Sequence, residues 1–154
     1  MMLQIVTSLL NDGTDDKGHM VGIYGIGGIG KTTLVVAVYN SIADRFKGLC
    51  FLENIRENSE KHGLPYLQNT LLYETVGEKK IKLTNVKNEM TVIQQRLQKK
   101  KVLLLLDDVD KEEQLHAIAG SPDWFGPVSR VIITAGPNQS GLPAMACNSD
   151  IFHF

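Results

Sequence analysis

Two cysteines in 154 residues, Cys50 and Cys147, are too few and too far apart for a disulfide framework or a thiolate metal site. Cys50 falls inside an apolar run and reads as a small buried hydrophobe, and a reducing cytoplasmic or nuclear setting is the default for such a chain. Long hydrophobic runs are missing too. None approaches the roughly 20 residues that a membrane span needs, and residues 1–10 lack the basic start of a secretory signal. Neither sign of charge prevails: 16 Lys and Arg stand against 17 Asp and Glu, a net charge of −1. No global field therefore points to nucleic acid or to an anionic membrane as partner. The four histidines, His19, His62, His116 and His153, share no ligand spacing, and no segment repeats. With 43% hydrophobic and 21% charged residues the chain has ordinary globular composition, long enough for one domain with its own core.

Glycine is not scarce, and it is concentrated. Gly25-Ile26-Gly27-Gly28-Ile29-Gly30-Lys31-Thr32-Thr33 fits the phosphate-loop pattern G-x-x-x-x-G-K-[ST] without a mismatch. Glycines allow a sharp turn whose successive N–H groups face inward, and a side chain there would block the approach of phosphate oxygens. In such a loop Gly25, Gly27, Gly28, Ile29 and Gly30 offer backbone to the phosphates. Lys31 reaches the β- and γ-phosphates, the Thr32 hydroxyl holds Mg²⁺, and a helix opening near Lys31 adds the positive end of its dipole.

The surroundings agree with that mechanism. Residues 19–24 form a short apolar run that reads as a buried strand, and Leu34, Val35, Val38 and Ile42 recur at helical spacing after the loop. Further strands fit residues 48–53, the continuous apolar run at 102–106, and 131–133. Helices fit the end of residues 1–10, the stretch opened by Pro65 and running to about Val76, residues 88–100, and 111–119. Residues 54–63 are polar and read as a loop, and residues 79–86 as a connection. Lys99, Lys100 and Lys101 complement a helix C-terminus, and Asp123-Trp124-Phe125 tucks aromatic surface under the sheet edge. The alternation indicates an α/β domain whose mainly parallel sheet of about four strands is flanked by helices. Residues 1–18 form an N-terminal linker and helix end, residues 19–134 the phosphate-loop domain, and residues 135–154 an irregular tail.

Ligands of open α/β sheets sit beyond the carboxyl ends of the strands. Asp107 and Asp108 close the 102–106 strand at that end, as the glycine loop closes the 19–24 strand. Asp107 is the candidate Mg²⁺ partner together with Thr32. Asp108 is the candidate catalytic residue, orienting a water against a γ-phosphate or accepting its proton. Asp110 is better suited to cap the helix that follows. Arg56 and Arg130 could approach phosphates, although nothing in their spacing requires it.

The segments VGIYGIGGIGKTT, FLENIRENSEKHGL, LLLLDDVD and SRVIIT resemble, in order, successive motifs of the NB-ARC nucleotide-binding domain of plant disease-resistance proteins. The second segment, with Asp110 closing the third, resembles the subclass that carries an N-terminal TIR domain and C-terminal leucine-rich repeats. The likeness spans about residues 3–134. It implies a P-loop NTPase fold, an ADP-bound resting state, ADP/ATP exchange on activation and slow ATP hydrolysis. By motif match it assigns Gly28, Gly30, Lys31, Thr32 and Thr33 to phosphates, Asp107 to Mg²⁺ and Asp108 to hydrolysis. It also implies a strand order with the 102 strand between the 48 and 131 strands and the 19 strand beside the latter.

Family members follow SRVIIT with Thr-Arg, whose arginine senses the γ-phosphate, whereas this chain has Ala135-Gly136. The fifth strand, the later helical and winged-helix domains and an upstream adenine-enclosing segment are missing from the pattern, which resembles a truncated or aberrantly spliced fragment. The 19 strand would then be an unprotected edge. The leading expectation is an ADP/ATP-binding module of a cytoplasmic immune receptor, with at most slow ATPase activity. One alternative is a stand-alone P-loop enzyme. The guanine-reading Asn-Lys-x-Asp of a GTPase is absent, and little material follows Thr134 for a kinase lid. The other is a remnant that acts only through protein contacts.

Overall fold

A computed structural model describes residues 2–10, 19–25, 30–77, 86–97, 100–119, 129–136 and 149–153. Strands β1 (His19–Tyr24), β2 (Gly48–Leu52), β3 (Val102–Val109), β4 (Arg130–Ala135) and β5 (Ser149–His153) make one sheet in the order β2-β3-β4-β1-β5. Every pairing is parallel. Helices α1 (Met2–Leu10), α2 (Lys31–Ile42), α3 (Ile55–His62), α4 (Leu64–Val76), α5 (Val86–Leu97) and α6 (Glu112–Ala119) cover it.

The period of a strand divides the leucine run between two cores. Leu104 and Leu106 join Leu67, Leu71, Leu72, Ile93, Leu97, Leu115 and Ile118 under α4, α5 and α6. Leu103 and Leu105 join Ile5, Leu9, Val35, Val38 and Ile42 under α1 and α2 on the other face. Because β3 and β4 are buried on both faces, they read as unbroken apolar stretches rather than as alternation. All four strands expected from the sequence are present, in the spatial order that the family resemblance implied.

Two expectations are corrected. The polar run after β2 is not a loop but contains α3. Only Ile55 of this helix is buried, so no apolar stripe announces it. Ile55 anchors it, and the buried Gln114 amide donates to Ser59 Oγ at 2.9 Å. The exposed Glu57–Lys61 pair at 2.6 Å and the Asn58 amide on the Glu53 carbonyl at 2.7 Å add small local support. Gly63, at φ 82°, ends it and starts α4, with Pro65 in the first turn of the latter.

The second correction concerns the expected loss of a fifth strand and the irregular tail. Residues 149–153 add β5 to the outer edge of β1, from Met20 opposite Ser149 to Tyr24 opposite His153. A five-residue segment with two apolar residues carries no usable period. Its backbone hydrogen bonds come from the edge that β1 presents, and Phe152 packs against the core under α1 and α2. β1 is therefore an interior strand. The aromatic triplet at 123–125 and most of the 79–86 connection lie outside the described residues. Among the described residues no helix is long and apolar enough to cross a membrane.

Candidate phosphate-binding site

Parallel strands place all their carboxyl ends on one side of the sheet, and β1, β3 and β4 deliver the predicted residues there together. The backbone leaves β1 through Gly25, whose N–H donates to the Ala135 carbonyl at the end of β4 (3.2 Å). It enters α2 through Gly30 at φ 103°, a conformation that side-chain-bearing residues rarely adopt. Gly27, Gly28 and Ile29, expected to cradle phosphates, lie outside the described residues. No side chain caps α2, whose first turn carries Lys31, Thr32 and the exposed Thr33.

Lys31 is 6% exposed, which is unusual for a lysine. Its ammonium donates to the Gly25 carbonyl at 2.9 Å and to the Ala135 carbonyl at 2.8 Å, so it bridges the ends of β1 and β4. Burial pushes its pKa down, and the nearby carboxylates of Asp108 and Asp107 oppose that shift. Two carbonyls satisfy two of the three ammonium donors, and the site holds a partly desolvated cation beside the α2 N-terminus.

β3 supplies the acidic pair through an irregularity. Its register with β4 shifts between Leu106 and Val109, and Asp108 adopts φ 60°. Successive residues of a regular strand point to opposite faces, and a bulge with one left-handed residue removes that constraint. Both aspartates consequently border the same cleft. Thr134 of β4 fixes the arrangement. Its fully buried hydroxyl donates to Asp107 Oδ1 at 2.8 Å and accepts the Asp108 N–H at 2.8 Å. Thr32 Oγ1 approaches the same Asp107 oxygen at 3.4 Å.

The fourth wall comes from the segment after β2. Asn54, in the left-handed region at φ 48°, turns the chain into α3. Ile55 is buried, and the next residue, Arg56, reaches the cleft and pairs with Asp108 Oδ2 at 3.2 Å. The cleft has a volume of about 250 Å³ and is lined by Lys31, Thr32, Asn54, Arg56, Asp107, Asp108 and Thr134. Asn54 and Asp108 both line the cleft in the left-handed backbone region, which Asn and Asp enter more readily than other side-chain-bearing residues.

Sequence reasoning brought Lys31, Thr32, Asp107 and Asp108 together and missed Thr134 and Asn54 as wall residues. It named Arg56 without placing it. Thr134 was within reach, because it stands at the carboxyl end of the strand next to the acidic one. Arg130 lies at the opposite end of β4, where its guanidinium donates to the Leu9 and Ser129 carbonyls and ties α1 to the sheet. Asp110 does not act as a simple cap. Gln114 folds back from α6 and accepts the N–H groups of Asp110 (3.0 Å) and Lys111 (3.2 Å), while Asp110 accepts from the Gln114 amide at 2.7 Å.

The hard oxygens of Thr32 and Asp107 suit Mg²⁺, which takes one or two carboxylates and completes its shell with phosphates and water. Among the described residues no group of three or more His, Cys, Asp and Glu side chains is placed to hold a metal without such help.

Residues 1–140 match the family described as the NB-ARC domain. The disease resistance protein RPV1 of Vitis rotundifolia is 45% identical over 117 residues, 75% of this chain and 8% of the relative. TMV resistance protein N of Nicotiana glutinosa is 42% identical over 139 residues, 86% of this chain and 12% of the relative. The chain thus spans a small part of the curated relatives it matches. Among solved structures, Drosophila ORC bound to DNA superposes with a TM-score of 0.63 at 14% identity, covering 98% of this chain and 41% of that one. Cdc6p from Pyrobaculum aerophilum gives 0.57 at 14% identity, covering 98% and 43%. At that identity the likeness concerns the fold alone.

Proposed function

Since the chain belongs to the NB-ARC domain family, we propose that its cleft binds ADP and ATP with Mg²⁺, as the nucleotide-reading switch of a plant immune receptor. The observation that carries this reading is the buried Lys31 ammonium, held between the ends of β1 and β4 and facing an acidic pair across the α2 N-terminus. A buried cation needs a function to offset its desolvation, and a polyphosphate supplies the countercharge.

In this reading Lys31 meets the β-phosphate, the loop from Gly25 to Gly30 and the first turn of α2 donate N–H groups to phosphate oxygens, and Thr33 joins them. Thr32 and Asp107 hold the Mg²⁺, which neutralises phosphate charge when bound, and Thr134 keeps Asp107 aimed at it. Asp108 is the residue proposed to orient a water. Its carboxylate pairs with Arg56 at 3.2 Å, and turnover of ATP is proposed to be slow at most. Regulation by exchange of ADP for ATP is the use that the relatives' resistance role suggests. TIR and leucine-rich-repeat domains are the partners proposed for a longer receptor, in a cytoplasmic or nuclear setting.

Titration of the purified chain with fluorescent ADP and ATP, with and without Mg²⁺, tests the reading. Saturable binding strengthened by Mg²⁺ is expected. Lys31→Ala should weaken it on the order of 10- to 100-fold, since a hydrogen bond to a charged group is worth about 1.5–3 kcal/mol. Binding that ignores both Mg²⁺ and Lys31 would reject the assignment.

A further inference from the structure

The family resemblance puts a γ-phosphate-sensing arginine immediately after β4, and this chain has Gly136 there. The structure nevertheless brings one guanidinium to the same cleft from another element. We propose that Arg56 is the residue that distinguishes ATP from ADP, by leaving Asp108 for the terminal phosphate. This rests on the reading of the cleft as a nucleotide site.

Three observations carry it. Arg56 and Asp108 border the cleft together with Lys31, Thr32, Asp107 and Thr134. Lys31 gives two of its three ammonium donors to the carbonyls of Gly25 and Ala135, and it stands in the first turn of α2. Arg56 enters the cleft from the first turn of α3 and pairs there with Asp108 Oδ2 at 3.2 Å. The ion pair with Asp108 is exposed on the arginine side, 60% against 34% for the aspartate. Exposed pairs of this kind are worth about 0–1 kcal/mol, so a phosphate that accepts two parallel N–H bonds can displace the carboxylate.

The backbone makes the two partners unequal. Asp108 is fixed by the bulge of β3 and by the hydrogen bond from its N–H to Thr134. Arg56 occupies the first turn of a helix anchored by Ile55 and swings on a long side chain. The arginine moves and the aspartate stays. ADP, which ends at the β-phosphate, leaves the Arg56–Asp108 pair intact. ATP takes Arg56 and frees Asp108. Contact made equally in ground and transition states raises affinity without raising turnover, which agrees with a switch rather than a fast enzyme.

The test is competitive titration of the full chain with ADP and with a slowly hydrolysed ATP analogue, each with Mg²⁺. The variants are Arg56→Gln, Arg56→Lys, Asp108→Asn and the double variant Arg56→Gln/Asp108→Asn. Arg56→Gln should lower affinity for the analogue by on the order of 10- to 100-fold while ADP affinity stays within about twofold. Arg56→Lys should recover part of the loss, because it keeps the charge without the planar fork. The double variant separates contact from screening. If Arg56 touches the phosphate, Arg56→Gln still weakens the analogue in the Asp108→Asn background. If Arg56 merely neutralises Asp108, the substitution has no effect there, and the proposal is overturned. It also fails if ADP and the analogue weaken in parallel. A wild-type chain that binds neither nucleotide rejects the underlying nucleotide site, an outcome read directly from the ADP arm.

Discussion

Replacing Thr134 by valine removes one oxygen and nearly preserves shape, yet that oxygen joins both aspartates to β4. The hydroxyl donates to Asp107 Oδ1 at 2.8 Å and accepts the Asp108 N–H at 2.8 Å, in a fully buried position. A hydrogen bond to a charged group contributes about 1.5–3 kcal/mol, and a buried N–H left without an acceptor costs about 1–3 kcal/mol more. Relaxation of the bulge recovers part of this, so Thr134→Val should destabilise the chain by roughly 2–4 kcal/mol. With a urea m-value of about 2 kcal/mol/M, the midpoint should fall by about 1–2 M. Thr134→Ser, which keeps the hydroxyl, should lose much less. The second readout is Mg²⁺ dependence: with Asp107 no longer aimed, Mg²⁺ should strengthen ADP binding less in the valine variant than in the wild type. A valine variant that melts within about 0.5 kcal/mol of the wild type and keeps the full Mg²⁺ effect would refute the account of how this site is held.

Burial raises the Tyr24 pKa from 10.0 to about 12. The unfolded chain therefore releases this proton first, and the stability it contributes is lost as pH rises from about 10 to about 12. Two units correspond to roughly 2–3 kcal/mol, and Tyr24→Phe should remove that part of the alkaline loss in urea melts taken across this range. Gln114 is 2% exposed and bonds the backbones of Asp110 and Lys111 and the side chains of Asp110 and Ser59. Gln114→Ala should cost about 1–3 kcal/mol by chemical denaturation, and Gln114→Glu should be worse at neutral pH because it sets a carboxylate against Asp110. Deleting residues 149–154 would strip β5 from β1 and leave a sheet edge free to pair. Sedimentation should then show concentration-dependent association that the full chain lacks.

The most legible parts of this chain are those where one physical demand dominates. A phosphate loop must be glycine-rich and must be followed by lysine and a hydroxyl, so Gly25 to Thr32 could be read without any fold. β3 must be apolar on both faces, so five consecutive residues from Val102 to Leu106 declare it and place the aspartates at its end. α3 escaped because it buries one residue, Ile55, and is otherwise tied to the fold through Ser59 and Gln114, which leaves no period. β5 escaped because its partners are backbone groups of β1, more than a hundred residues earlier. The site divides in the same way. Lys31 and Asp107 follow from motif chemistry, whereas Thr134 and Arg56 enter through strand order, the bulge at Asp108 and the left-handed turn at Asn54. Those are tertiary facts, and residue types alone do not encode them in any short window.

Amide chemical-shift mapping shows where on this chain nucleotide binds, and the cleft between Lys31 and Asp107 is the place expected. A larger cleft of about 420 Å³ lies elsewhere, lined in part by Phe51, Glu53, Tyr66, Thr70 and Glu74. On addition of ADP with Mg²⁺, the amides of Gly25, Gly30, Lys31, Thr32, Thr33, Asp107, Asp108 and Thr134 should shift together with one saturation curve. Those of Tyr66, Thr70 and Glu74 should stay in place. Shifts confined to the larger cleft, or no saturable shift around Lys31, would mean that the Lys31 cleft is not the nucleotide site.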